Sequence, residues 1–344
     1  VAFLINVLLT PFILQLAHRF GWYDHINDRK IHTESTPRLG GVGIFMSFIA
    51  AAVVGLTVLV GAPGIAPWSL RSVALILGGL ALVHGLGLYD DFVNLRAPLK
   101  FVVQLAAGTM VAVSGALMRV IELPWIGPVQ LPLWVAFGLT ILWVVSISNA
   151  VNLIDGADGL AGGVALIAAL FMGVIALGQG SLVSAILAFA VVGSLAGFLV
   201  FNLPPARIFM GDSGSLSLGY ILAVLPLLGL QRGEPGLMAI APFPVLTLLY
   251  IPIVDTLLAI IRRISRGLPV HSADREHIHH RLIDRGVGGR RLLSVIYGTM
   301  VVFGFVATAW YEIPHGAAAL LTLAVWIATL IVIIVLDNHD RPAP

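Results

Sequence analysis

The chain has 344 residues, 59% of them hydrophobic and only 10% charged, with a mean hydropathy of +1.01. A soluble domain of this length cannot cover its surface with so little charge, so the composition excludes the soluble classes. The formal net charge is +2, and the absence of cysteine excludes disulfides, thiol catalysis and Cys-ligated metal sites.

Apolar runs of about 17–25 residues, the length that spans a bilayer, follow one another along nearly the whole chain. They predict eleven helices at about 1–19, 39–60, 70–88, 99–118, 131–149, 161–177, 181–200, 214–230, 239–261, 293–310 and 316–336. The expected fold is an all-α polytopic membrane protein with a single transmembrane domain over 1–344. No low-complexity linker or clear repeat divides it. Because Val1 already lies inside an apolar run, the natural amino terminus is expected upstream of it.

Loop parity sets the orientation. The side that receives the loop after the first helix holds every Lys and Arg except Arg71, Arg119 and Arg232, and the segment 262–292 alone carries eight arginines. The positive-inside rule makes that side cytoplasmic and puts the amino end outside. The same parity brings loops 3–4, 5–6, 7–8 and 9–10 to the cytoplasmic face. These loops carry the chemistry, while external segments such as Gly178–Ser181 are short and plain.

In chain order, the first cytoplasmic loop offers Lys30, His32 and Arg38, which suit a nucleotide or lipid phosphate but equally obey the positive-inside rule. Asp90 and Asp91 close the third helix, with Asn94 and then Lys100 beyond them. A solvated interfacial pair is the plain reading. A carboxylate working with a metal or a proton beside a phosphate-binding lysine is the functional one. Loop 5–6 reads Asn149-Ala-Val-Asn152-Leu-Ile-Asp155-Gly-Ala-Asp158-Gly159. Its acids share a face if the segment is helical, and its glycines admit close approach of a ligand. An ordinary turn need not combine two Asn, two Asp and two Gly.

Loop 7–8 enters the eighth helix through Phe209-Met-Gly-Asp212-Ser213-Gly-Ser215. Asp212 or Ser213 can cap that helix. Alternatively, the helix amino end binds an anion while Asp212 holds a bridging cation. The two serines do not form G-x-S-x-G, which argues against a hydrolase. Asp255, two turns before Arg262 and Arg263, reads equally as a structural partner or as part of the chemistry. In loop 9–10, His277, His279 and His280 lack the H-E-x-x-H zinc spacing, and with Arg275 they suit phosphate oxygens or a leaving group.

Hard carboxylate and amide oxygens beside cations suit Mg2+ or Mn2+, which keeps waters and takes one or two protein ligands plus substrate phosphates. Phosphoryl transfer from a cytosolic donor to a lipid acceptor explains both the metal-type oxygens and the cations. A transporter with an acidic ion path is the rival of another class. It would need polar residues continuing across the bilayer, whereas the outward halves of the helices are almost uncharged. A lipid-binding scaffold explains the basic loops but not the acidic motifs.

Asp90-Asp91 with Asn94, Lys100-Phe-x-x-Gln104, the Asn149–Gly159 segment and Phe209-Met-Gly-Asp212-x-Gly-Ser together resemble the polyprenyl-phosphate N-acetylhexosamine-1-phosphate transferases. The motifs stand in the family's order over most of the chain. His277-Ile-His-His-Arg-Leu is similar to the branch that uses UDP-GlcNAc and undecaprenyl phosphate, and lacks the His-His-His-Phe-Glu pattern of the UDP-MurNAc-pentapeptide branch.

The resemblance implies attack of undecaprenyl phosphate on the β-phosphorus of UDP-GlcNAc, with GlcNAc-diphospho-undecaprenol and UMP as products. It implies a bacterial inner-membrane enzyme at the first membrane step of an envelope polysaccharide, with no nucleic-acid partner and a possible homodimer through outer helices. Asp90, Asp91, Lys100, Asp155, Asp212, His279 and His280 become the catalytic candidates. Asp212 is the prime metal ligand and Asn152 the second. Asn94, Asp158, Phe209, Lys30, His32, Arg38, Arg275 and His277 become substrate contacts, with Asp158 and Phe209 toward uracil. Lys100 and the histidine loop face the diphosphate, and Asp90 receives a proton from the lipid phosphate. Another UDP-hexosamine or UDP-MurNAc-pentapeptide would serve the same carboxylates.

Overall fold

The computed structural model describes residues 1–23, 36–59, 69–232, 242–269 and 277–338. Lys30, His32 and Arg275 lie outside the described residues. Thirteen α-helices are present among those residues: α1 (Ala2–Phe20), α2 (Gly40–Leu59), α3 (Leu70–Val93), α4 (Ala97–Val113), α5 (Leu133–Leu153), α6 (Leu160–Gly178), α7 (Leu182–Asn202), α8 (Gly211–Val224), α9 (Pro242–Leu248), α10 (Tyr250–Ser265), α11 (Ile278–Asp284), α12 (Gly289–Ala309) and α13 (His315–Asn338). Local chemistry sets the boundaries. Ser69 caps α3 by accepting the Ser72 N–H at 3.0 Å. Gly21, left-handed at φ 67°, ends α1.

Nine helices among the described residues are long and apolar enough to cross a membrane, and up to ten if the bent pair α9–α10 is one span. The chain is therefore a multi-pass membrane protein. The expected bundle of about eleven apolar helices is present as a polytopic helical bundle, and two of the expected runs differ from a plain long span. α4 is a 17-residue apolar helix, shorter than the others. The ninth run breaks into α9 and α10, which meet at 78°. Pro252 lacks the N–H that would bond the Leu248 carbonyl, which weakens the helix at that point and permits the break.

The all-α expectation holds for the architecture, with one short addition. Between α4 and α5, β1 (Val120–Leu123) and β2 (Gly127–Gln130) form a short antiparallel hairpin, with Val120 opposite Gln130 and Leu123 opposite Gly127. Trp125 occupies its turn with φ 67°. Four-residue strands bury too little to leave a periodic signal beside the long apolar runs.

α8 is the element that positions the site. It packs on α2, α3, α5 and α6, and all but one of its fourteen residues are buried. Small residues make this approach possible, as expected where helices associate without a hydrophobic driving force between them. A Cβ on Gly219 would lie 2.5 Å from Ser148 Cα on α5, and one on Gly87 would lie 2.5 Å from the Asp212 backbone. Two of the buried hydroxyls are satisfied by donating back along the helix, Ser217 to the Ser213 carbonyl at 2.6 Å and Ser215 to the Gly211 carbonyl at 3.0 Å. Trp143 Nε1 donates to the Ala223 carbonyl, and the Tyr220 hydroxyl to that of Ile76.

Candidate active site

The three acidic segments meet at one end of the bundle. Asn94 stops α3 in a left-handed turn (φ 53°), and the reversed chain lets Leu95 N–H donate to Asp90 Oδ1 at 2.6 Å. α4 then carries Lys100 back over the same carboxylate. Its ammonium hydrogen-bonds Asp90 Oδ2 and, at 3.0 Å, Asp212 Oδ2. One cation thus joins the first acidic motif to the third. Asp90 is buried, and Asn94 is exposed at the rim.

Asp91 lies one position further round α3 and accepts the backbone N–H groups of Asp212 (2.7 Å) and Ser213 (3.1 Å). These belong to the first turn of α8. The amino end that sequence reading offered to an anion is therefore already held by a protein carboxylate. The cap is supplied from another helix and not by Asp212 or Ser213. Gly211 (φ 71°) has to be glycine here, since a Cβ would lie 2.5 Å from the Arg38 carbonyl oxygen and 2.6 Å from Asp91 Oδ2.

The segment before α2 is laced to the third motif. Gly40 and Gly41 N–H donate to the carbonyls of Phe209 (2.9 Å) and Met210 (2.8 Å), while Phe209 N–H donates to Pro37 (2.8 Å). This ladder brings Arg38 close enough to act electrostatically on Asp155. Phe209 is half-buried beside it.

The second motif closes the site from the other flank. Asn149 donates to Gln104 Oε1 at 2.7 Å, tying α5 to α4. Asn152 Nδ2 donates to Ser215 Oγ at 2.9 Å, so the amide is oriented with its nitrogen toward α8. Asp158 Oδ2 accepts the Ala206 N–H at 2.9 Å. The Asp155 carboxyl, on the loop after α5, is pushed up to about 7, first by burial and then by the negative charge of Asp212, with Asp91 and Asp158 adding to it and Arg38 opposing.

The histidine loop folds over this segment. The His279 ring lies against Gly156, where a Cβ would sit 2.8 Å from Cε1. Burial lowers His279 to about 3, helped by neighbouring His280, so the imidazole is neutral at physiological pH. His277 stacks parallel to it at 5.8 Å and 6°, and the half-buried His280 ring lies 4.3 Å from His279. Every candidate within the described residues thus falls in, or at the rim of, one connected region.

Two supports had no place among the sequence candidates. Asn202 accepts the Gly159 N–H (2.9 Å) and donates to the Ile208 carbonyl (2.8 Å), clipping the second motif to the third. Tyr297 on α12 donates to the Gly159 carbonyl at 2.6 Å. Asn202 stands seven residues before Phe209, and a buried polar residue at a helix end was the available signal. Tyr297, in an apolar run, gave none.

No three His, Asp or Glu side chains form a metal cage among the described residues. The residues still fit an oxygen-loving divalent ion. Asp212 pairs with an ammonium, so its surroundings already accommodate positive charge. Asn152 commits its nitrogen to Ser215, which leaves its carbonyl oxygen as a hard donor.

Fold and site together define a multi-pass membrane protein whose acidic, cation-bridged cluster is built at the ends of its helices. The family model described as Glycosyl transferase family 4 matches residues 73–230. The chain is 36% identical, over 98% of its length and 88% of the relative's, to a Bacillus subtilis protein named probable undecaprenyl-phosphate N-acetylglucosaminyl 1-phosphate transferase. It is 32% identical, over 99% of its length and 90% of the relative's, to the decaprenyl-phosphate N-acetylglucosaminephosphotransferase of Mycobacterium leprae. Over 66% of the chain and 73% of the relative, it is 35% identical to a phospho-N-acetylmuramoyl-pentapeptide-transferase of Listeria monocytogenes. The chain belongs to the polyprenyl-phosphate N-acetylhexosamine-1-phosphate transferases of glycosyl transferase family 4 and is a membrane phosphotransferase.

Proposed function

We propose that this enzyme transfers N-acetylglucosamine 1-phosphate from UDP-GlcNAc to undecaprenyl phosphate, at the cytoplasmic face of a bacterial inner membrane, in one transmembrane domain. The observation that carries the reading is the Lys100 ammonium bridging Asp90 and Asp212 at the mouth of the bundle. That arrangement holds a fixed positive charge where two phosphorylated substrates, one from lipid and one from water, can meet. The names of the Bacillus and Mycobacterium relatives support N-acetylglucosamine as the sugar.

An oxygen of the lipid phosphate attacks the β-phosphorus of the nucleotide sugar, the bond from that phosphorus to the bridging oxygen breaks, and UMP leaves with the oxygen. When bound, Mg2+ supplies Lewis-acid neutralisation of the diphosphate, and Asp212 and the Asn152 carbonyl would hold it. Lys100 neutralises charge on the phosphates and orients Asp212. A phosphate monoester with a second pKa near ~6 is largely ionised at neutral pH, and Asp90 takes the proton from the fraction that is not. Asp158 and Phe209 receive the uracil, with Arg38 toward the phosphates. His279, being neutral, donates or accepts a hydrogen bond and adds no charge. Asp91 serves the reaction by holding the start of α8.

The test is UMP release by the purified protein, with undecaprenyl phosphate and a panel of UDP-sugars. UDP-GlcNAc is expected to give UMP, whereas transport without UMP would overturn the reading. The Listeria relative makes UDP-MurNAc-pentapeptide the second donor to include. Single displacement predicts inversion at the transferred phosphorus, and net retention would point to an aspartyl-phosphate instead.

A further inference from the structure

The histidine loop must be held over the second motif by something, and the holding group is Asp255. It lies on α10, two turns before the arginine pair, and is 1% exposed. Both its oxygens are committed to the start of α11. Oδ2 accepts from His277 Nδ1 at 2.8 Å, and Oδ1 accepts the Ile278 N–H at 2.9 Å. His277 makes no side-chain cap to α11, so the first-turn N–H that it leaves is capped from a different helix. The accepted Nδ1–H also fixes the His277 tautomer.

Two residues on, His279 lies against Gly156, and its Nε2 is buried without a hydrogen-bond partner. Such a nitrogen is costly to leave unmatched, and it lies beside the loop that carries Asp155. The chain of contacts runs from Asp255 through His277 and Ile278 to His279.

We propose that Asp255 is a positioning residue for sugar-phosphate transfer. It locks the first turn of α11 so that the unpaired nitrogen of His279 is presented to the nucleotide sugar's diphosphate over Gly156. Asp255 itself touches no substrate. The proposal rests on the function proposed above for its kinetic consequence, but its structural content stands apart from it.

The test is a double-mutant cycle in full-length protein, with Asp255→Asn as the isosteric change, His279→Ala, and both together. If Asp255 acts through His279, Asp255→Asn raises KM for UDP-GlcNAc about tenfold, in line with loss of a hydrogen bond to a charged group, and leaves KM for undecaprenyl phosphate unchanged. In the His279→Ala background the same change adds less than about twofold, because contacting residues in one network are non-additive. A tenfold loss that persists without His279, or one shared equally by the lipid KM, overturns the proposal.

Amide exchange across 277–284 provides the second measurement, independent of turnover. Asp255→Asn is expected to accelerate exchange there and not in α3 or α8, and unchanged exchange overturns the proposal. If the wild-type protein releases no UMP from any UDP-sugar, the function fails on that result and the exchange experiment still decides the role of Asp255.

Discussion

At the residue scale, the carboxylates share out tasks instead of forming a cage. Asp91 takes two backbone N–H groups, Asp90 takes one N–H and a lysine, and Asp212 pairs with that same lysine. Asp212→Asn is therefore expected to lower UMP release by at least about a hundredfold, the scale of losing a principal electrostatic group. Its thermal midpoint should stay near wild type, and near-normal turnover would remove Asp212 from the centre of the site. Asp155 and His279 make opposite pH predictions. The Asp155 pKa is raised to about 7, so the folded state holds its proton more tightly than the unfolded one. Its stabilising contribution is full below about pH 4 and is lost as pH rises through about 7. His279 is depressed to about 3, so its contribution is present above about pH 6.5 and is lost as pH falls toward 3. Thermal midpoints across pH 4–8 should slope less steeply downward in Asp155→Asn than in wild type. In His279→Gln the loss toward acid should shrink. Slopes unchanged by either variant would contradict both assignments.

At the element scale, α8 is the part on which the site depends, because its first turn carries Asp212 and is capped from α3. Removing that cap with Asp91→Ala is expected to cost about 1 kcal/mol, the usual value for a lost helix cap, and to lower activity by displacing Asp212. Urea or thermal unfolding in detergent measures the first effect and UMP release the second. Gly87→Ala tests the same joint from the other side. A methyl 2.5 Å from the Asp212 backbone must push α8 away from α3, so activity should fall even if the protein still folds. Wild-type turnover in this variant would mean that the α3–α8 spacing is not critical. The bend between α9 and α10 belongs to this scale too. Pro252 is visible in the sequence, but a proline in an apolar run can bend a helix slightly or break it, and only packing decided for 78°.

For the whole molecule, charge asymmetry is the strongest determinant of placement. The topology expected from the sequence places all but Arg71, Arg119 and Arg232 of the 19 basic residues on one side, and the opposite topology would carry that charge across the bilayer. The lack of cysteine makes this simple to test. Trp125→Cys, in the exposed hairpin turn, should react with a membrane-impermeant maleimide in intact cells, whereas Asp284→Cys should react only after permeabilisation. The reverse pattern would invert the topology and move the acidic cluster to the outer face.

The sequence alone determined membrane residence, the set of apolar runs, the three acidic motifs and the family they resemble. These are written in composition and in short contiguous patterns, where the physics is local or depends only on transfer from water to lipid. What it could not hold was who meets whom. Asp91, adjacent to Asp90, caps a helix that begins 120 residues later, and Lys100 reaches Asp212 across a comparable interval. Asn202 and Tyr297 converge on Gly159, and Asp255 reaches His277 from another helix. The contacts of α8 depend on small residues such as Gly87, Gly211 and Gly219 letting backbones close to within a side chain's width. Tertiary packing alone decided how these similar aspartates came to have different surroundings, because a carboxylate's role is fixed by the donors around it and those donors come from distant parts of the chain.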